Sequence, residues 1–352
     1  SGPNQAGRGV QLQRIERMLT QGTLAYTGVP TDMAVQGDGF FVVKGPNTGN
    51  MYTRDGSFRL DDELNLVTQG GANVQGYSVG SDGSLGSALG DLRITQRQLA
   101  PKATDKVELF ANLKPDAAAD ETYQTQITMH DSLGNPHTVT MTGTHNDDGT
   151  WTMNATAPGS DVDGGGADDV QIASWTVSFD DSGNLESVDG ANPINVNWAG
   201  AATATIDIDL GNLTQFNTVS ESATRSFTAN GHGTGDLVDI QINDDGLVRG
   251  IYDNGEEAVL GQVALATFND PTELAKTGGN AFQQSARSGQ ANIGVAGTGG
   301  RGTIAASSLE LSNVELSEQF IDLIAYQRAF QANSRTIQAA DGLLQEVQQL
   351  VT

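Results

Sequence analysis

The chain has 352 residues, enough for two or three domains with their own cores, and its 43 acidic against 18 basic residues leave a net charge of -25. Such a charge repels nucleic acid and anionic membrane faces, and the absence of cysteine excludes disulfides, thiolate nucleophiles and cysteine-ligated zinc. With 37% hydrophobic and 6% aromatic residues the cores must be lean, while 44 glycines against 9 prolines predict many tight turns between short strands.

The opening SGPNQAGRGV has neither the charged nor the apolar region of a signal peptide and no initiating Met, so the natural N-terminus is expected further upstream. No run of 18 apolar residues is present to insert into a membrane. After a polar lead containing QLQRIERMLTQGTL, the segment MAVQGDGFFVV predicts a hairpin: Met33, Ala34 and Val35 precede a Gly-Asp-Gly turn, and Phe40 to Val43 follow it. MYTRDGSFRLDDELNLVT repeats the arrangement, with Asp55-Gly56 and Asp61-Asp62 as turns. The same chemistry recurs in NDDGTWTM, FDDSGNLESV and INDDGLVRGIY, which predicts antiparallel sheet. The recurrence has no fixed period, so these are hairpins and not a solenoid.

Composition shifts near Pro101. From there to about Ser222 the chain is rich in Thr, Asp and Ala, alternates in TYQTQITMHD, HTVTMTGTH, SWTVSF and TATIDIDL, and holds Trp151, Trp175 and Trp198. DVDGGGADD, from Asp161, reads as a flexible loop inside it. From Ser226 the earlier style returns in LVDIQIN, GLVRGIYDN and AVLGQVALATF. The expected fold is therefore mainly β. Residues 1–103 and 223–308 form an inner domain, 104–222 an inserted outer β-domain, and 309–352 a long C-terminal α-helix.

That helix begins in LSEQFIDLIAYQRAFQ. Counting in sevens places Leu316, Leu323, Phe330, Ile337, Leu344 and Val351 on one heptad position, with Phe320 and Ile324 widening the stripe at its start. The second position, Gln319, Tyr326, Asn333, Ala340 and Val347, is weaker. A helix from about Asn313 to Leu350 would be roughly 55 Å long at 1.5 Å per residue. Burying its six heptad residues would contribute on the order of 10 kcal/mol at most. Such a seam needs a partner.

Motifs that suggest catalysis lack their context. GYSVG, from Gly76, matches the nucleophile elbow by letter, but turn formers follow Ser78 where a helix is required, so it reads as a Gly-flanked turn. GTGGRG, from Gly297, opens no helix and reads as a loop. Asp161, Asp163, Asp168 and Asp169 lack calcium-loop spacing, and His130, His137, His145 and His232 lack zinc spacing. His137, after Asn135-Pro136, reads as the start of a strand. Paired carboxylates such as Asp244 with Asp245 and Glu256 with Glu257 sit at turns, with no reason for a shifted pKa. No catalytic residue, cofactor or metal is predicted.

Two end segments resemble a known family. QGTLAYTGVPTDMAVQGDGFFVV carries Gln21, Gly22, Thr27, Gly28, Asp32, Gly37, Gly39, Phe40 and Phe41. LELSNVELSEQFIDLIAYQRAFQANSRTI carries Ser312, Asn313, Val314, Gln327 and Arg328. Both resemble the signature segments of the flagellar rod and hook family. ITMHDSLGNPHTVT and GDLVDIQINDDGLVRGIYDNGEEAVLGQVALATFNDP are similar to its hook members, whose large middle insertion the rod members lack. The resemblance covers essentially the whole chain.

It implies an outer β-domain inserted into an inner one, both carried on paired terminal helices that line the channel of a tubular homopolymer. It further implies a non-enzymatic structural subunit of the bacterial flagellar hook, a flexible universal joint that carries torque. Such a subunit leaves the cell by flagellar type III export to an extracellular position on the basal body and hook. Its partners would be copies of itself, the distal rod, the hook cap and the hook–filament junction proteins. Family members place an N-terminal helix and an N-N-x-A-N type motif before the Gln-Gly stretch, and neither falls within these residues, so the C-terminal helix is expected to be exposed, mobile or borrowed by a neighbouring molecule. A distal rod protein of the same family and a secreted β-rich adhesin are the alternative readings. The adhesin leaves the long helix without a role.

Overall fold

A computed structural model describes residues 18–45, 48–80, 83–217 and 221–350, with side chains in the final helix described to Leu343. The polar lead up to Arg17 and Val351 lie outside the described residues, as do the side chains of Leu344 and Val347. The chain is mainly β, with one long helix at its C-terminal end.

Sequence-distant segments build the largest sheet. Glu257–Thr267 runs antiparallel to Leu247–Tyr252, Asn73–Val79, Phe40–Lys44 and Asn292–Val295. Phe40–Lys44 also pairs with Asn50–Thr53. Apolar side chains on both faces of these strands explain their unbroken runs: Phe41, Val43, Val263 and Leu265 enter one core, and Phe40, Val42, Ala264 and Ala266 the other.

Three local expectations are corrected here. MAVQGDGFFVV is not a hairpin, because Met33–Gln36 pairs with Thr303–Ala306 while Phe40–Lys44 joins the large sheet. Gly37 and Gly39, at φ of 96° and 145°, redirect the chain between two buried strands. Asp55-Gly56 closes no hairpin either: the Gly56 carbonyl accepts from Met33 N at 3.0 Å, and Phe58–Leu60 pairs with Leu66–Thr68. The first four residues of GYSVG lie within the strand Asn73–Val79, and a Cβ on Gly76 would sit 2.3 Å from the Gln262 carbonyl oxygen. Close strand approach, and not a turn, is what its glycine serves.

The other hairpins form where their turns predict them. Gly235–Ile242 with Leu247–Tyr252, Pro136–His145 with Trp151–Ala157, and Val170–Phe179 with Leu185–Gly190 are antiparallel pairs. One device recurs in three turns. Asp61 accepts from the amides of Glu63 and Asn65 and from the Asn65 side chain; Asp131 does the same with Leu133 and Asn135, and Asp180 with Ser182 and Asn184. The fourth turn residue, Leu64, Gly134 or Gly183, has a positive φ in each.

The middle of the chain contains two five-stranded sheets. One is the meander Thr122–His130, Pro136–His145, Trp151–Ala157, Val170–Phe179 and Leu185–Gly190. The other is built on Lys106–Asn112. Side chains from both fill one core that includes all three tryptophans, each at most 1% exposed. Ala223–Ala229 also pairs with Lys106–Asn112, so the chain leaves this sheet near Asn230 and not at Ser222, where composition changes. Two crossing segments connect the middle to the large sheet. Lys102 N donates to the His232 carbonyl at 3.0 Å and His232 N to the Lys102 carbonyl at 2.9 Å.

Candidate assembly interface

The segments before and after the β-structure meet in a neck. Leu24–Tyr26 runs antiparallel to Ser308–Glu310, bringing the two ends of the described β-structure side by side. Most residues of the two end signatures act there. Gln21 uses both ends of its amide, donating from Nε2 to the Val35 carbonyl at 2.9 Å and accepting from Gly37 N at 3.0 Å. Gly22 N donates to Glu310 Oε1 at 2.8 Å, and a Cβ at that position would fall 1.9 Å from the Leu311 carbonyl oxygen. Thr27 donates from N and Oγ1 to the Ser307 carbonyl, and Gly28 follows at a φ of 74°. Asp32 bridges to Ser57. Asn313 crosses back through Nδ2 to the Thr20 carbonyl at 2.8 Å and Thr20 Oγ1 at 2.9 Å.

Beneath the neck the two signature phenylalanines separate. Phe40 meets the edges of Phe268 and Phe282, with centroids at 6.0 and 6.1 Å, whereas Phe41 packs against Phe58 at 5.1 Å in the opposite core. Arg54 ties the group together, and nothing in its local sequence marked it. Its guanidinium donates to the Gly39 carbonyl at 3.2 Å and to the Gly37 carbonyl, lies 3.8 Å from Glu310 Oε2, and covers the Phe40 ring at 5.7 Å. The charge of Glu310 sets this role: its carboxylate takes an amide from one terminal segment and faces an arginine of the body.

Beyond the neck no other described residue packs against the chain. The helix Leu316–Leu350 is exposed on every side among the described residues, with Phe320 63% and Phe330 76% accessible and Leu316, Leu323 and Ile337 also in solvent. Ile324 and Tyr326 extend the same stripe. Ile321 and Leu343 are exposed off it, on the side of Ala325, Ala329 and Ala332, so the helix is apolar on more than the single seam read from the heptads. Ser312 Oγ accepts from Val314 N at 3.3 Å, while the Val314, Gln327 and Arg328 side chains point into solvent.

Of the residues tested for chemistry, His137 and Asp161 meet, and Ser78 lies far from them in another sheet. Ser78 faces Gly261 across a strand pair, while His130, His137 and His145 belong to the middle meander. No group of three or more His, Asp or Glu side chains among the described residues could hold a metal ion. Asp161 has a structural bond instead. His137 is stacked on Trp198 with centroids 4.1 Å apart, its Nδ1 3.1 Å from Asp161 Oδ2 and its Nε2 3.3 Å from Asp131 Oδ2. Burial by itself would raise the Asp131 pKa, but the hydrogen bonds from Asn135, Leu133 and His137 outweigh it and hold the group at about 2. This cluster pins the turn at 131–135 to the loop at Asp161. The Asp131/Asn135 pairing was its only trace in the sequence.

Comparison with known proteins covers both the β-structure and the helix. Residues 34–110 match the flagellar hook protein FlgE/F/G D1 domain, 97–232 the flagellar basal body protein FlaE D2 domain, and 305–350 the flagellar basal body rod FlgEFG protein C-terminal family. The chain is 32% identical to the flagellar hook protein FlgE of Salmonella typhimurium, over 97% of this chain and 87% of that protein. It is 33% identical to FlgE of Treponema pallidum, over 98% and 85%. The crystal structure of Helicobacter pylori flagellar hook protein FlgE2 has the same fold, with a TM-score of 0.62 at 15% identity over 82% of this chain and 100% of that one.

Proposed function

The chain belongs to the flagellar hook protein family as a structural subunit of the bacterial flagellar hook, and from that premise we propose that it polymerises through its exposed helix into a flexible tube that carries torque. The observation that carries this reading is the helix itself. Large apolar side chains stand in solvent on more than one side of it, and nothing else among the described residues covers them. Each such residue contributes about 1.5–3 kcal/mol when fully buried, so neighbouring helices that covered this one would supply most of the free energy of assembly. The N-terminal helix implied by the family would cover one side and neighbouring subunits the others.

In this reading residues 309–352 form the axial layer, 1–103 with the part of 223–308 beyond Asn230 the inner β-domain, and the inserted middle, with Ala223–Ala229, the outer one. Stiff contacts between helices pass torque along the tube, while the polar outer domains slide and repack as the bent tube turns. Wet polar contacts exchange readily and suit such movement. The tube stands outside the cell, and its ends meet the distal rod, the hook cap and the hook–filament junction proteins.

Electron microscopy of the concentrated native protein tests this reading. Curved tubes with a central channel are expected, and Leu323→Asp or Phe330→Asp should abolish them while the β-structure stays folded. Normal hooks on motile cells carrying either substitution would remove the helix from the assembly.

A further inference from the structure

The middle meander presents an outer face unlike the rest of the molecule. Its strands alternate strictly, so each residue that enters the tryptophan core is followed by one that faces away from it. On Pro136–His145 the outward residues are Thr138, Thr140, Thr142 and Thr144. Cross-strand pairing extends them into rows: Thr144 lies opposite Thr122 on one side and Thr152 on the other, and Thr152 lies opposite Thr176. The neighbouring row is Gln124, Thr142, Asn154 and Ser174. Between these rows and Thr128 or Ser178, every outward position on the four strands is Thr, Ser, Asn or Gln. On these four strands no charge and no aromatic ring interrupts the face; Asp189, opposite Thr176 on Leu185–Gly190, sets a single carboxylate at its edge.

The surroundings make this unusual. Residues 104–222 contain nineteen acidic residues and only two basic ones, Lys106 and Lys114, yet none of these twenty-one falls on the four strands of the face, and only Asp189 borders it from the fifth. The face is also little used by its own chain. Of the hydroxyls of Thr138, Thr140, Thr142 and Thr144, only that of Thr142 is engaged among the described residues, by Gln124 Nε2 at 3.5 Å.

We propose that this threonine face is a contact surface for a second copy of the chain in the assembled tube, a step that rests on the assembly reading above. Charge selects the face. Elsewhere on the middle sandwich two copies would bring carboxylates together, at about 1 kcal/mol for each unit pair at 4 Å even in bulk water. Here they meet hydroxyls and amides, each able to donate and accept, so identical subunits need no complementary partner sequence. The rows repeat about every 6.8 Å along the strands and about 4.8 Å across them. A neighbour displaced by one repeat therefore meets the same groups, and contact survives a change of register. A glycan would call for an exposed aromatic platform, and the rows contain none.

Because the chain has no cysteine, a single introduced thiol reports on the face. Gln124→Cys and Thr176→Cys would be made in the native full-length protein, with folding checked by tryptophan fluorescence. Maleimide modification would be timed on dissociated subunits and on tubes from the same preparation. The expected result is fast modification of subunits and protection in tubes on the order of tenfold or more, as for the dry core of an interface. Thr142→Asp combined with Thr144→Asp should loosen or straighten the tubes, while Thr142→Asn should not. Equal modification in tubes and subunits, with tubes visible by electron microscopy, would overturn the assignment of this face alone. If the unaltered protein forms no tubes, the assembly reading falls, and this proposal falls with it.

Discussion

In the middle sandwich, Trp151, Trp175 and Trp198 are sealed between two sheets of the same chain, whereas along the terminal helix Phe320, Leu323 and Phe330 stand in solvent. Both regions carry large apolar side chains, and what separates them is whether the described residues supply a second layer. Ten strands close the sandwich, and the turns that connect the meander are held by their own aspartates. The helix has its neck at one end and, among the described residues, nothing along its sides. One region is stable because it is complete, and the other is informative because it is not.

The contrast predicts opposite responses to substitution. Trp198→Ala removes a buried ring and the stacking partner of His137, and should cost about 3–5 kcal/mol in urea unfolding of the sandwich. Phe330→Asp should change that unfolding by less than about 0.5 kcal/mol although it abolishes tubes. A comparable loss of folding stability in both would end the distinction.

The neck, where the two regions join, should respond at an intermediate level. Gly22→Ala places a Cβ against the Leu311 carbonyl and should destabilise the neck by about 1–3 kcal/mol, seen as faster amide exchange in Leu24–Tyr26 with the sandwich unaffected. Arg54→Lys keeps the charge but loses the planar fork that reaches the Gly37 and Gly39 carbonyls, and should cost about 1 kcal/mol by the same measurement.

Acid distinguishes the two regions in a further way. The Asp131 pKa is about 2 in the folded chain against an ordinary 3.8, so folding favours its ionised form. Its contribution is therefore complete above about pH 4 and lost as pH falls from there through about 2. The urea midpoint of the sandwich should drop across that window, and Asp131→Asn should flatten the drop; an unchanged slope in the variant would remove Asp131 as its cause.

Turn chemistry was legible because it is local. An aspartate shortly before a glycine places acceptor and donors in one short segment, and the turn at Asp180 forms where FDDSGNLESV predicts it. The hydrophobic heptads likewise exposed the helix, since Leu316 to Ile337 need only one regular backbone to align. Where the same letters served long-range packing, local reading failed. Gly76 looks like a turn glycine and admits the backbone at Gln262; Gly37 and Gly39 look like a hairpin tip and send two buried strands into different sheets.

For the candidate interface the division is similar. The end signatures identified Gly22 and Asn313, but not that they bind one another's segments across nearly 300 residues of chain, nor that Arg54 and Glu310 complete the neck. The threonine face was present as alternation in HTVTMTGTH, but a single strand cannot show a face. What contiguous residues encode is conformation: turn, strand alternation and helical period. Which strands become neighbours, and so which polar residues share a surface, depends on burying apolar area from distant parts of the chain at once. That choice is made by the assembled cores.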